Sequence, residues 1–242
     1  MNILEIAPLK YKIYLEEAVS IETNLKLQEI KNYILSNYKN IIDLTISYNC
    51  LMFETASPIS IELLQDEIEN ISNSTEFLDK EVKLIEIPVC YDAEYAMDME
   101  YVMGYTGLSK DEIINLHTKQ IYYVYFIGFL PGFPYLGGLD KRLHTPRKDV
   151  PRMRIPAGSV GIGGSQTGIY PLNSPGGWQI IGRTPLKIFD PTRETPFLIS
   201  SGECIKFIDI SKEDYLTLKN DETVKTISGK ISLKKVIYAQ GS

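Results

Sequence analysis

Apolar residues recur along the first ninety positions in two different periods. Between Asn24 and Tyr38 they stand at Leu27, Ile30 and Ile34, the spacing that gathers them on one face of a helix. Ile61, Leu64 and Ile68 repeat that spacing within Ser60–Ile71. Between and around these segments the pattern alternates every second residue, as in a half-buried strand: Tyr11–Glu16, Ile41–Ser47, Leu51–Thr55 and Val82–Val89, with Tyr48-Asn49 at a hairpin turn. The order is strand, helix, strand, strand, helix, strand. That order predicts a ferredoxin-like α+β domain over residues 1–90.

The pattern changes after Cys90. Cys90–Tyr105 shows no clean period and reads as a linker. Ser109 precedes Glu112 at capping-box spacing, which predicts a helix over Lys110–Thr118. Beyond it, IYYVYFIGF, SVGIGG, GIYPL, WQIIG, LKIFD and CIKFIDI alternate with Gly/Pro turns, predicting a mainly-β barrel or sandwich over residues 91–242. Ser211 is placed to cap a last short helix, KEDYLTLK, and the tail from Thr223 is expected to form strand or pack on the surface. Ile121–Leu139 runs 19 residues without a charge, long enough to span a bilayer. Pro131, Pro134 and four glycines from Gly128 onward favour a strand running into a turn.

Composition narrows the function. The chain has 242 residues, is 44% apolar, and carries a net charge of −6 with a pI near 5.1. That balance argues against nucleic acid as a partner. Cys50, Cys90 and Cys204 lack CxxC spacing and read as reduced thiols. The start, MNILEIAPLKYKIYLEE, lacks a basic region followed by a long apolar run, so a cytoplasmic protein with no membrane partner is expected.

Basic residues are segregated. Arginines occur only from Arg142 to Arg193, and Phe126–Pro191 holds 12 of the 17 glycines and 9 of the 13 prolines. Familiar motifs fail there. Gly161, Gly163, Gly164 and Gly168 do not spell GxGxxG, and GWQIIGRT has Arg183 where a P-loop needs lysine. Gly158-Ser159-Val160-Gly161 is not a nucleophile elbow. His117 falls on the predicted helix and is expected to be a hydrogen-bonded packing residue. His144, in LHTPR beside Arg142 and Arg147, is a base candidate that nearby cations would keep neutral. Arg147, Arg152 and Arg154 are interleaved with Pro146, Pro151 and Pro156, which restrict the backbone between them. Such a group can bind carboxylate or phosphate, or pair with surface acids. Ser174-Pro175-Gly176-Gly177-Trp178 reads either as an anion-binding nest or as a tight turn anchored by Trp178. Gln166 can donate to and accept from an amide.

Three strings in order, GFLPGFPYLGGLDKRLHTPR, PRMRIPAGSVGIGGSQTGIYP and SPGGWQIIGRTPLKIFD, resemble the KipI family, also called allophanate hydrolase subunit 1. This family includes the B subunit of bacterial ATP-dependent 5-oxoprolinase. The match is strong over Leu116–Asp190 and loose over the first 90 residues. Asp92-Ala93 and Ala96-Met97 depart from the family's Gly-Gly and Gly-Pro. The resemblance implies that the C-terminal region is a cyclophilin-like barrel, similar to half of the carboxyltransferase module of urea amidolyase. It implies a homologous partner of the KipA or oxoprolinase C type, a LamB/YcsF-type A subunit, and ATP, with Mg2+ accompanying it, in the complex. The alternatives it carries are an inhibitor of sensor histidine kinase autophosphorylation and an allophanate hydrolase-like carboxyltransferase component. On the leading reading, Arg147, Arg154 and Arg183 bind carboxylate or phosphate, Gln166 and the turn at Gly176-Gly177 hold the amide, and His144 moves a proton.

Overall fold

The computed structural model describes residues 1–15, 19–73, 80–220 and 228–240. Two compact units divide the chain: Met1–Glu81 with Ser232–Ile237, and a second unit built on Val82–Ile231.

The first unit holds β1 (Asn2–Ala7), β2 (Lys10–Tyr14), α1 (Ile21–Asn37), β3 (Ile41–Ile46), β4 (Cys50–Thr55) and α2 (Ile61–Asn73). Ser20 caps α1 by accepting the Thr23 N–H. Leu27, Ile30 and Ile34 of α1, with Leu64 and Ile68 of α2, are fully buried, as their spacing predicts. Tyr11, Ile13, Leu51 and Phe53 fill the strand side of this core. The sheet is antiparallel in the order β1-β2-β4-β3. Here the structure corrects the sequence reading: the strand expected to close this sheet, at 82–89, is not in it. Its place beside β2 is taken by β1, which the alternation does not reveal because only Ile3 of that strand is buried.

The strand at 82–89 belongs instead to the second unit as β5 (Glu81–Val89), paired in parallel with a strand far along the chain. It is followed by α3 (Met99–Thr106) and α4 (Lys110–Lys119). α4 carries the full capping box, Ser109 with Glu112, that its sequence announces. α3 lies in the segment read as linker; its apolar face is short, with Met99 and Val102 buried. Then come β6 (Tyr122–Ile127), β7 (Pro134–Gly137), β8 (Arg152–Ile155), β9 (Ser159–Gly163), β10 (Gln166–Ile169), β11 (Ser174–Gly176), β12 (Gln179–Arg183), β13 (Cys204–Asp209), α5 (Lys212–Asn220), β14 (Ser228–Ser232) and α6 (Leu233–Gln240). Ser211 Oγ accepts the Asp214 N–H at the start of α5. The tail expected from Thr223 begins outside the described residues, and its described part is β14 and α6. LKIFD is not a strand: Phe189 makes one isolated bridge to Phe197, and Pro185 and Pro191, which lack an N–H, bracket it.

The large sheet runs β12-β9-β10-β7-β6-β13-β5-β14, and β8 pairs with β11 apart from it. Its two flanks meet. Cys90, just past β5, exchanges two backbone hydrogen bonds with Arg183 at the end of β12, at 2.9 and 3.0 Å. Seven strands are thereby closed around a core that includes Ile87, Val89, Val124, Leu136, Ile162, Ile181 and Phe207. Closure requires Gly182. A methyl group there would stand 2.7 Å from Val89 Cγ1 and 3.1 Å from the Cys90 oxygen.

Inside the closed sheet His117 is fully buried and stacks on Phe207 with ring centroids 4.4 Å apart. Thr167 Oγ1 donates to the Gly161 carbonyl at 3.1 Å, so it accepts from His117 Nε2–H at 2.9 Å. Nδ1 therefore accepts from the Tyr91 hydroxyl at 2.7 Å. Burial holds the imidazole neutral and depresses its pKa to about 3. This is the packing role expected of His117. Burial likewise pushes the Cys204 thiol up to about 12.

Two outcomes follow. Gly182→Ala opens the seam and lowers the free energy of unfolding by about 1–3 kcal/mol in urea titration; an unchanged midpoint would contradict the packing described. For His117 the unfolded chain binds the proton more tightly, so stability is intact above pH about 6.5 and falls by about 1.4 kcal/mol per unit as pH drops from there toward 3. Ring NMR signals of His117 should stay those of a neutral Nε2–H imidazole from pH 8 to 5; a midpoint near 6.5 would refute the network.

Candidate functional site

The Gly/Pro-rich strings converge on the outer side of the closed sheet, around Trp178. β10 alternates, so Thr167 faces the core and Gly168 faces out. Methyl groups built on Gly163, Gly168 and Gly161 would stand 2.5, 3.0 and 3.3 Å from Trp178 atoms. These glycines form a floor stripped of side chains on which the indole packs. Phe133 meets the indole edge-on at 5.3 Å, and Tyr135 lies beyond at 6.5 Å. Tyr170 Oη accepts the Trp178 backbone N–H, yet burial pushes this phenol up to about 12. Gly176 is also steric, since a methyl group there would lie 2.4 Å from Tyr170 Oη.

Residues 128–133 make one lip of this face. Gly128 N–H bonds the Phe133 carbonyl at 3.0 Å, closing the loop. Within it, Leu130 N–H reaches back to the Gly128 carbonyl at 2.8 Å, a three-residue turn with Phe129 at φ 67°. Pro131 and Gly132 (φ 86°) form the next turn, closed by Phe133 N–H on Leu130 O. Phe129 is thus displayed, 63% exposed, on strained backbone.

The arginine-bearing loop makes the other lip. Arg147 sets its guanidinium over Trp178, with Cζ 5.6 Å from the ring centroid. Its neighbours are tied down on both sides. Gln179 Nε2 donates to the Pro146 carbonyl at 3.0 Å, and Lys148 N–H donates to the Gly177 carbonyl at 2.7 Å. Further on, Asp98 takes a bidentate pair from Arg152, 2.7 Å each, with Lys148 Nζ at 3.1 Å and Ile180 N–H at 2.8 Å. This carboxylate is 4% exposed. Burial alone would raise its pKa; the bonds from Arg152, Ile180 and Lys148 outweigh that and hold it below the usual carboxylate range.

The sequence-predicted residues separate accordingly. Arg147 stands at the centre, and Gln166 shares the outward side of β10 with Gly168. Gly177 contributes its carbonyl to the loop anchor. Arg154 lies on β8, exposed and without an ion-pair partner among the described residues. His144 ends the short turn at Lys141–Leu143, with Nε2 3.4 Å from the Leu139 carbonyl. Of the cations expected to flank it, Arg142 is paired with Asp140 at 2.7 Å. Arg183 is not with the others. It sits at the far end of β12, roughly 16 Å along the strand from Trp178, with Nε bonded to the Ala157 carbonyl at 2.9 Å. Pairing with acids, the alternative reading of these arginines, holds for Arg142, Arg152 and Arg193. Asp98 was invisible to motif reasoning because it lies in the segment taken for a linker, 54 residues before Arg152. Its signal was a stretch, Lys141–Arg154, with six basic side chains and a single acid, Asp149. Among the described residues no three His, Cys, Asp or Glu are grouped to hold a metal, and no helix is long and apolar enough to cross a membrane.

The family described as carboxyltransferase domain, subdomain C and D, matches residues 1–199. A Bacillus subtilis protein named as the 5-oxoprolinase B subunit is 47% identical over 65% of this chain and 65% of its own length. A Haemophilus influenzae protein of the same name is 39% identical over 86% of this chain and 97% of its own. The urea amidolyase of K. lactis superposes with a TM-score of 0.75 over 95% of this chain and 16% of that one, at 17% identity, a likeness of fold. By that family match and these identities, the chain belongs to the carboxyltransferase subdomain C and D family, alongside the bacterial proteins named as 5-oxoprolinase B subunits.

Proposed function

We propose that this chain is the B subunit of an ATP-dependent 5-oxoprolinase, which opens the 5-oxoproline lactam to glutamate together with partner subunits and is inactive alone. The observation that carries the reading is the likeness, over most of the chain, to relatives bearing that name. In fold terms, the closed sheet is read as a cyclophilin-like barrel, and the first unit as a ferredoxin-like domain in which β1 fills the closing-strand position. The partners on this reading are a homologous C subunit and a LamB/YcsF-type A subunit.

The outer face suits one wall of a pocket for a small planar amide bearing a carboxylate. Arg147 supplies paired N–H donors for the carboxylate, pre-set by Trp178 beneath it. Gln166 presents an amide to the lactam, and His144 is the nearby group able to carry a proton. Bound ATP would activate the lactam oxygen. This chain fits it only as a contact surface, through Arg147 and the exposed Arg154, since Lys148 and Arg152 are committed to Asp98. Mg2+ accompanying the nucleotide has no dedicated acidic cluster among the described residues.

Reconstitution with the two partner subunits should give ATP-dependent release of glutamate from 5-oxoproline, which none of the three gives alone. Arg147→Ala should lower kcat/KM by about 100-fold, or about 2.7 kcal/mol, with the fold intact. A reconstituted complex that leaves 5-oxoproline unopened would overturn the reading.

A further inference from the structure

Asp98 stands where it should cap α3, yet its side chain makes no cap hydrogen bond. An N-cap aspartate normally accepts an N–H of its own helix's first turn. Here both oxygens are turned away, and all four bonds they accept come from the loop bearing Arg147 and the strand following Trp178. The Asp98 N–H also donates to the Ile180 carbonyl at 2.8 Å, so the residue is locked to β12 from both its main chain and its side chain. Lys148 is bound twice, by its backbone to Gly177 and by its ammonium to Asp98. Gln179 fixes Pro146 from the other side. Arg147 therefore stands between two anchored residues, with no ion-pair partner among the described residues. Its guanidinium rests on the indole because its neighbours leave the backbone little room to move.

We propose that Asp98 is a positioning residue for Arg147. Through Lys148 and Arg152 it holds the 146–152 loop against β12, so that the Arg147 guanidinium above Trp178 is presented in a fixed orientation to a carboxylate ligand. The assignment of that ligand rests on the 5-oxoprolinase reading; the positioning itself does not. Of the four donors that satisfy this buried carboxylate, three come from Lys148 and Arg152, so the bonds that keep Asp98 paired also fix the loop. In addition, the loop so held displays Val150 at 80% exposure, so burial of its one large apolar side chain does not hold it in place.

The only tryptophan of the chain reports on this directly. The ratio of iodide to caesium quenching of Trp178, which is 5% exposed, should exceed the same ratio for free N-acetyltryptophanamide in the wild-type protein, because Arg147 draws anions to the ring. Arg147→Ala should abolish that preference. Asp98→Asn, which keeps the shape but cannot accept from all four donors, should reduce it toward the Arg147→Ala value while circular dichroism stays unchanged. Should Asp98→Asn fail to fold, Lys148→Met removes one tether, leaves the Arg152 pair, and should reduce the preference in part. In the reconstituted complex, Asp98→Asn should lower kcat/KM for 5-oxoproline by about 10- to 100-fold. The double variant with Arg147→Ala should be no worse than Arg147→Ala alone, because both changes remove one function. Losses that multiply in the double variant, or a folded Asp98→Asn or Lys148→Met protein with wild-type iodide preference, would overturn the proposal. A wild-type complex without 5-oxoproline hydrolysis would sink the functional reading, and the quenching comparison would still decide the role of Asp98.

Discussion

The outer face depends on one contact, the indole of Trp178 against a backbone without side chains. Gly161, Gly163 and Gly168 lie on adjacent paired strands; a methyl group on Gly163 or Gly168 would collide with or crowd the ring, and one on Gly161 would crowd the Trp178 Cβ. Packing at that range brings Trp178 close to the sheet, which lets Phe133 and Tyr135 meet its edge and Arg147 cover it. Dispersion falls steeply with distance, so a ring held an ångström farther out would lose much of this support. The glycine-rich strings that mimic a phosphate-binding loop are thus glycine-rich for an aromatic reason.

Behind this face, the closed sheet keeps its interior nearly apolar and satisfies the polar groups it does admit. His117, Tyr91 and Thr167 form a chain of donors and acceptors that ends on the Gly161 carbonyl, in one of the strands that floors Trp178. An unpartnered imidazole at full burial would cost several kcal/mol, so the chain behaves as a unit. Core and outer face are therefore connected at β9, whose residues serve each in turn.

Much of this was legible in the sequence where a local rule dominates. The helices over Ile21–Asn37, Ile61–Asn73 and Lys110–Lys119 follow from spacing and capping, and the second also from its strongly one-sided apolar face. The packing role of His117 followed from its place on α4. What failed depends on distant partners. β5 has the alternation of a strand, but nothing local states which sheet it joins. β1 is exposed along most of its length and leaves a weak signal. β8 and β11 are three or four residues each, rich in Arg, Pro and Gly, and are defined by each other rather than by propensity. Within the site, Arg147 and Gln166 were legible from residue type. Asp98 was not, because a carboxylate's value there is set by cations brought to it by the fold.

The pairing of β5 with β13 also bears on how the chain assembles. Leu84 faces Cys204, 120 residues later, and the seam joins Cys90 to Arg183. In the first unit, β1, β2, β3 and β4 find their neighbours within the first 55 residues. Chain-closure entropy grows with loop length, and non-local parallel pairing is slow. On a ribosome, the first sheet can therefore be complete while β5 is still an unpaired strand. Its Ile85, Ile87 and Val89 remain uncovered until β13 emerges. The order of synthesis gives this protein one early folding event and one late one, and the interval between them is when its apolar strand is open to the wrong partner.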